Sequence, residues 1–489
     1  MTSTPFPAHP SSLFDTLVTH SSVQLLAIFL LAVTLIFSKL GGTGLANYDD
    51  AFYAQKAKEI LTTHDWMTMH YNGRPAFENP PFFMWCIAVS YKIFGVNEYA
   101  AKFPSAFFGT GTVLLVFFFG RYLFNQWTGF FSAAILSTTI MFTRFASRAM
   151  MDVTLSFFVT LALFSFVLSS RGNRRYFLLW GISIAVCILT KSVLGFFPAI
   201  ISLLFIVVKK RWDLLKETYA YVGIFLILVF GCSWYYAEYF LYGDVFIRIH
   251  FGWLILERGL LLESQAWYEH LSYGKDLLTY DWPWLPLFVW GFWIALKNFK
   301  KEEMAILVLW CATIVITMSM MKSRVMWYIL PIIPAASMLS GNVAAHFLSE
   351  SKKILSSKIL LAVAYVAIII IDATPIRLSQ ERETDIRVLA PYVKYYAQRG
   401  CTIIGYGYDY YSLNNALMFY SDHAAEPIYR DVASLQKALA SSDTVLVVID
   451  SNVLSSLPPS FAWYDVVRKT DEMSLLSNHK LNISGIRTW

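Results

Sequence analysis

The sequence predicts an all-α polytopic membrane domain followed by a small α/β extracytoplasmic domain, on three observations. Of 489 residues, 57% are hydrophobic and only 15% charged, against roughly one quarter charged in an ordinary soluble domain. Apolar runs long enough to cross a bilayer, which takes about 20 helical residues, recur as far as Ala373 and then stop. Lys and Arg fall in short clusters between those runs rather than on one face, so the formal charge of +6 reports topology and not nucleic-acid binding.

The expected spans are 23–38, 103–120, 128–145, 153–170, 176–189, 194–208, 219–240, 284–296, 304–320, 326–348 and 359–371, about eleven. The run 82–94 is short and follows Pro80-Pro81, which suits a helix lying at the interface better than a span. With the first loop outside, the positive-inside rule is obeyed. The inner loops then carry Arg121; Arg171, Arg174 and Arg175; Lys209, Lys210, Arg211 and Lys216; Lys297, Lys300 and Lys301; Lys352, Lys353 and Lys358. Outside lie the long first loop 41–102, the loop 241–283, the turn 322–324 and the tail after Asp372.

That division gives a transmembrane domain, 1–375, and an extracytoplasmic domain, 376–489. In the second, β-rich runs at 402–405 and 444–449 alternate with helix-like stretches at 391–398 and 432–439. The first apolar stretch has no basic residue before it and no small-residue cleavage site after it, and reads as a retained span.

Cofactor signals are weak. Cys86, Cys187, Cys232 and Cys311 lie in or beside apolar segments, Cys401 lies in the tail, and no CxxC pair exists, so neither a disulfide framework nor a thiolate metal site is indicated. Gly405-Tyr406-Gly407 lacks the third glycine of a dinucleotide loop. His64, His70, His250 and His270 fall outside without metal-ligand spacing, so no metal is expected.

Several ionisable residues sit at the outer ends of spans, where the charge rule does not want them: Arg144, Arg148, Lys191, Arg248, Arg258, Lys322 and Arg324. Such groups cost energy unless they face a cavity or a partner, and a basic cavity at the outer leaflet suits an anion such as a lipid-linked phosphate. Each taken singly is also explained by snorkelling to headgroups. Acids gather on the same face: Asp49 and Asp50 open the first loop, Glu78 precedes the proline pair, and Asp152 begins the span at 153. Asp152 is equally an ordinary helix cap. Together, these acids and bases are what an acceptor-activating base and a phosphate leaving group require.

Tyr48-Asp49-Asp50-Ala51-Phe52-Tyr53-Ala54 resembles the opening of the first outer loop in membrane glycosyltransferases related to protein O-mannosyltransferases and the lipid A aminoarabinose transferase. Asn72-Gly73-Arg74-Pro75-Ala76-Phe77-Glu78-Asn79-Pro80-Pro81 and the stretch 94–105 continue that likeness in order, as do Ala149-Met150-Met151-Asp152, Leu189-Thr190-Lys191, Trp234-Tyr235, Glu257-Arg258, Trp267-Tyr268 and Lys322-Ser323-Arg324 leading to Tyr328 and Pro331. The matches cover roughly 47–336.

The resemblance implies a GT-C fold of about 11 to 13 helices and an inverting glycosyltransferase of the inner (plasma) membrane. It would move a sugar from a polyprenyl-phosphate carrier to a lipid, glycan or protein acceptor at the outer face. It implies Asp49 as general base and Asp152 as a second acid. Lys191, Lys322, Arg324 and Tyr328 become phosphate-binding candidates, and Asp50, Glu78, Arg148 and Arg258 further substrate-binding candidates. Two positions depart from the pattern: Asn79 stands where the aminoarabinose transferases have a lysine associated with the lipid phosphate, and Ile255 where a histidine is expected. Another cation must replace the first, and a zinc site pairing the second with Glu78 is not supported. The competing reading is a transporter or flippase of lipid-linked sugars, which gives no reason for a long acidic first loop.

Overall fold

The structure is a computed structural model that describes residues 20–38, 40–42, 44–45, 49–260, 272–281, 283–322, 324–373, 384–457, 464–481 and 486. Among the described residues six helices are long and apolar enough to cross a bilayer: Glu98–Leu123, Met151–Ser170, Tyr176–Lys209, Thr218–Tyr242, Glu302–Ser319 and Met326–Phe347. A bent pair, Gln126–Thr138 with Ile140–Ala146, makes a seventh if it is one span. The count of eleven is therefore not confirmed. Helices Ser21–Phe37 and Leu285–Lys297 form where spans are expected but have only 17 and 13 residues. At 1.5 Å per residue the second reaches roughly 20 Å of a hydrocarbon core of about 30 Å. The expected spans 176–189 and 194–208 share one helical stretch, broken at Ser192.

The 66° bend has a chemical cause. Ser137, Thr138 and Thr139 turn their hydroxyls back onto the carbonyls of Ala133, Ala134 and Ile135, and hydroxyls that occupy helical carbonyls in this way favour a break. Elsewhere the bundle is drawn close by small residues, because lipid tails supply no hydrophobic drive between helices. A Cβ on Gly181 would lie 2.4 Å from the carbonyl oxygen of Gly223, so those two helices cross backbone to backbone.

The first loop is folded. Helix Asp49–Thr63 leads into a hairpin of β1, His70–Tyr71, and β2, Arg74–Pro75, and then helix Phe82–Phe94. That last helix has the bounds expected of the interfacial segment, capped by Gly95 at φ 78°.

The tail holds a mixed sheet of β3 (Thr402–Tyr406), β4 (Ile428–Tyr429), β5 (Val445–Asp450), β6 (Asp465–Lys469) and β7 (Met473–Ser477), in the order β4-β3-β5-β7-β6. β3 runs parallel to β4 and β5, while β7 is antiparallel to β5 and β6. Both strand runs and both helices expected there form, the helices as Thr384–Ala397 and Val432–Leu439. The expected domain boundary at 375 falls within 374–383, outside the described residues.

The tail is docked on the first loop by a shared apolar core in which Ala54, Phe83 and Ile87 meet Leu389, Leu417 and Leu475. Polar ties frame it. The Leu45 N–H donates to the Tyr420 hydroxyl at 2.9 Å, and Lys58 donates to the Phe419 carbonyl at 2.7 Å. Arg387 pairs with Glu98 at 3.2 Å.

Candidate active site

A cavity of about 350 Å³ opens where the first loop, the turn after Lys191 and the helix start at Met326 converge, and Asp49, Tyr53, Glu78, Asn79, Lys191 and Tyr328 line it. One helix supplies much of it. Asp49, Phe52, Tyr53 and Lys56 are spaced i, i+3, i+4 and i+7, and so share a face. Asp50 lies about 100° round the helix; it is fully buried and paired with Arg148 at 3.0 Å. Of two adjacent acids, then, one faces the cavity and the other anchors the helix.

The Tyr53 hydroxyl donates to Asp49. Burial pushes the Asp49 carboxyl up to about 6; Lys191 opposes that rise, while Asp152 and Asp50 add to it. Lys191 ends helix Tyr176–Lys191, pairs with the buried Asp152, and lies over the Tyr328 ring, 4.4 Å from its centroid. Asp152 therefore holds the ammonium from behind while Asp49 shares the cavity with it.

The turn that carries Lys191 is strained. Ser192 sits at φ 50° and ψ −127°, a conformation that costs a non-glycine residue about 1–3 kcal/mol. A Cβ on Gly195 would lie 2.3 Å from the Ile188 nitrogen, so only glycine lets the chain fold back there. His250 braces the turn: its ring donates from Nδ1 to the Phe77 carbonyl at 2.6 Å and accepts at Nε2 from the Ser192 hydroxyl at 2.9 Å. Burial lowers the His250 pKa, which keeps the ring neutral in that role.

Lys56 is a residue that the sequence reading passed over. Its fully buried ammonium donates to Glu78 at 2.9 Å and to the Asn79 amide oxygen at 3.1 Å, over the Phe52 ring at 4.0 Å. Burial raises the Glu78 carboxyl, but Lys56 beside it prevails and holds it below the usual carboxylate range. Helical spacing from Asp49 was the signal that would have found it. Lys56→Met should cost about 3 kcal/mol, the lower end for breaking a buried pair. Thermal unfolding of Lys56→Met and of the double variant with Glu78→Gln measures this, the second change restoring most of the loss.

The other predicted residues lie elsewhere. Arg324 donates from Nε to the Met321 carbonyl at 3.1 Å, and it and Lys322 flank the cavity without lining it. The Arg258 side chain is outside the described residues. Arg144 packs on the Tyr280 ring and Arg248 bonds the Asp244 carbonyl. Ile255 lines the cavity. Among the described residues no three His, Cys, Asp or Glu side chains are grouped to hold a metal.

The sequence profile of the family described as dolichyl-phosphate-mannose-protein mannosyltransferase matches residues 78–236. An undecaprenyl phosphate-alpha-4-amino-4-deoxy-L-arabinose arabinosyl transferase of Pseudomonas fluorescens is 29% identical over 66% of this chain and 59% of its own. An uncharacterized protein of Aquifex aeolicus is 27% identical over 65% of this chain and 63% of its own. The chain thus aligns with under two thirds of the length of these relatives. The crystal structure of ArnT from Cupriavidus metallidurans bound to undecaprenyl phosphate superposes with a TM-score of 0.77 at 19% identity, covering 96% of this chain and 99% of that one. The Archaeoglobus fulgidus oligosaccharyltransferase gives 0.56 at 14% identity, over 88% and 69%. The chain is similar to these proteins in sequence and shares the GT-C fold of the two solved structures. Asn79 stands where the resemblance leads a lysine to be expected, and the Lys56 ammonium donates to its amide oxygen from the helix that begins at Asp49.

Proposed function

We propose that the protein is an inverting glycosyltransferase that moves a sugar from a polyprenyl-phosphate carrier to an acceptor hydroxyl or phosphate at the outer face of the membrane. The observation that carries this is the sharing of one cavity by the Asp49 carboxylate and the Lys191 ammonium, the latter fixed by Asp152. Asp49 takes the acceptor proton as the acceptor oxygen attacks C1 of the sugar. The bond from C1 to the phosphate oxygen breaks, and its electron pair leaves with polyprenyl phosphate. Lys191 and the Tyr328 hydroxyl offset the charge that grows on that oxygen. The relatives' undecaprenyl-phosphate donors and the ArnT fold support this chemistry, and the basic inner loops support the sidedness.

Purified protein in lipid, given candidate polyprenyl-phosphate sugars, should release free polyprenyl phosphate from one of them. Use of a nucleotide sugar as direct donor would overturn the scheme. The acid limb of the rate profile is a further expectation. Asp49 works as a base only when ionised, and its pKa near 6 means that kcat/KM should hold above about pH 6 and fall roughly tenfold per unit below it. A profile flat down to pH 5 would remove Asp49 from the base role.

A further inference from the structure

On the wall of the cavity that holds Asp49, the Glu78 carboxylate, the Asn79 amide oxygen and the face of the Phe52 ring converge on one point. A carboxylate, a neutral oxygen and a π face are a ligand set for a cation. The Lys56 ammonium fills it, at 2.9, 3.1 and 4.0 Å from the three groups in that order. Lys56 is fully enclosed behind them, whereas Glu78 keeps 22% of its side chain accessible. The segment carrying both oxygens is pinned on either side. The Phe77 carbonyl accepts from His250, and Pro80-Pro81 follow with φ fixed by their rings. His250 lies near Glu78 but engages both ring nitrogens, on Phe77 and Ser192, and has none to offer an ion there. Asp49 and Lys56 stand at i and i+7 of one helix, about 10 Å apart along its axis, so the helix is a rigid spacer between the proposed base and the cation centre.

We propose that Lys56 is a positioning residue that acts as a tethered cation: it gathers Glu78 and Asn79 as a bound metal ion would, and so fixes the Glu78 carboxylate at a set distance from Asp49, where it accepts a substrate hydroxyl. This rests on the transferase reading above. An ionised carboxylate is an acceptor only, with lone pairs left for a hydroxyl after the ammonium has taken its share. Without a cation, that carboxylate would take up a proton or turn toward solvent. Because the charge is covalently attached, this centre needs no added divalent ion. Phe52 completes it by covering the ammonium, which keeps the charge directed at the two oxygens.

Lys56→Ala keeps Cβ, and the carbons and ammonium that it removes are those of n-propylammonium. In the full-length variant in nanodiscs, propylammonium should raise the midpoint of thermal unfolding and restore the transfer rate about tenfold, the contribution of one hydrogen bond to a charged group. Propanol, which has the carbons without the charge, should do neither. Lys56→Ala combined with Glu78→Gln should gain nothing from the amine. Absence of rescue in both midpoint and rate overturns the proposal. Should Lys56→Ala fail to fold, Lys56→Met with Glu78→Gln supplies a neutral pair of similar volume. A positioning role predicts that this double variant is stable with kcat lowered about tenfold; a wild-type rate per folded molecule would leave the ion pair a purely structural one and sink the idea. Wild-type activity should hold in a chelator, and a loss reversed by a divalent ion would show that a metal, not Lys56, gathers Glu78. Midpoint rescue with no turnover from any donor would refute the transferase reading and leave the cation centre standing, whereas wild-type turnover without rescue would refute the tethered cation alone.

Discussion

Asp49→Asn is expected to lower sugar transfer by a factor on the order of 10² to 10⁴, the range of general-base catalysis, with little loss of folded protein. Asparagine keeps the shape and still accepts from Tyr53, and it removes a buried charge that also feels Asp152 and Asp50. Stability should hold or rise slightly. The measurement is polyprenyl phosphate released per minute by variant and wild type, alongside size-exclusion and thermal unfolding profiles. Asp50→Asn should show the opposite division. It strands Arg148, so stability falls, while activity per folded molecule changes much less. If Asp49→Asn transferred sugar at near the wild-type rate, the base would have to be sought elsewhere.

Lys191→Met should cost both stability and rate. It leaves Asp152 buried without its cation, and breaking such a pair destabilises by about 3–5 kcal/mol. It also removes the charge proposed to face the leaving phosphate, an expected loss of roughly 10² to 10³ in kcat by analogy with deleting one donor from a transition-state site. Combining Lys191→Met with Asp152→Asn separates the two effects. The double variant should regain most of the thermal stability and none of the rate. Recovery of rate in the double variant would mean that Lys191 serves only to neutralise Asp152.

The membrane character was plain in the composition, because hydrophobicity adds up locally along a run and needs no knowledge of neighbours. Span lengths were less plain. Phe82–Phe94 was legible from its length and the proline pair before it, but the turn at Ser192 is braced by a hydrogen bond to His250, 58 residues away. The bend after Thr138 had a readable cause, three consecutive hydroxyl residues, that hydropathy alone does not register.

At the candidate site, charge placement and family likeness singled out Asp49 and Lys191, which the structure places on one cavity. Their roles relative to Asp50 and Arg148 were not separable, since helix phase needs a known helix start and the partner lies 98 residues on. Lys56 was readable at i+7 from Asp49 and went unread because a lysine in an outer loop looks like any solvated charge. By itself the sequence determined the solvent the chain folds in, the sidedness expected of its loops and which residue types were present to do chemistry. Only the tertiary structure decided which charges neutralise one another and which are left facing a cavity. Ion pairing depends on a few ångströms between side chains from distant helices, and no local pattern encodes that distance.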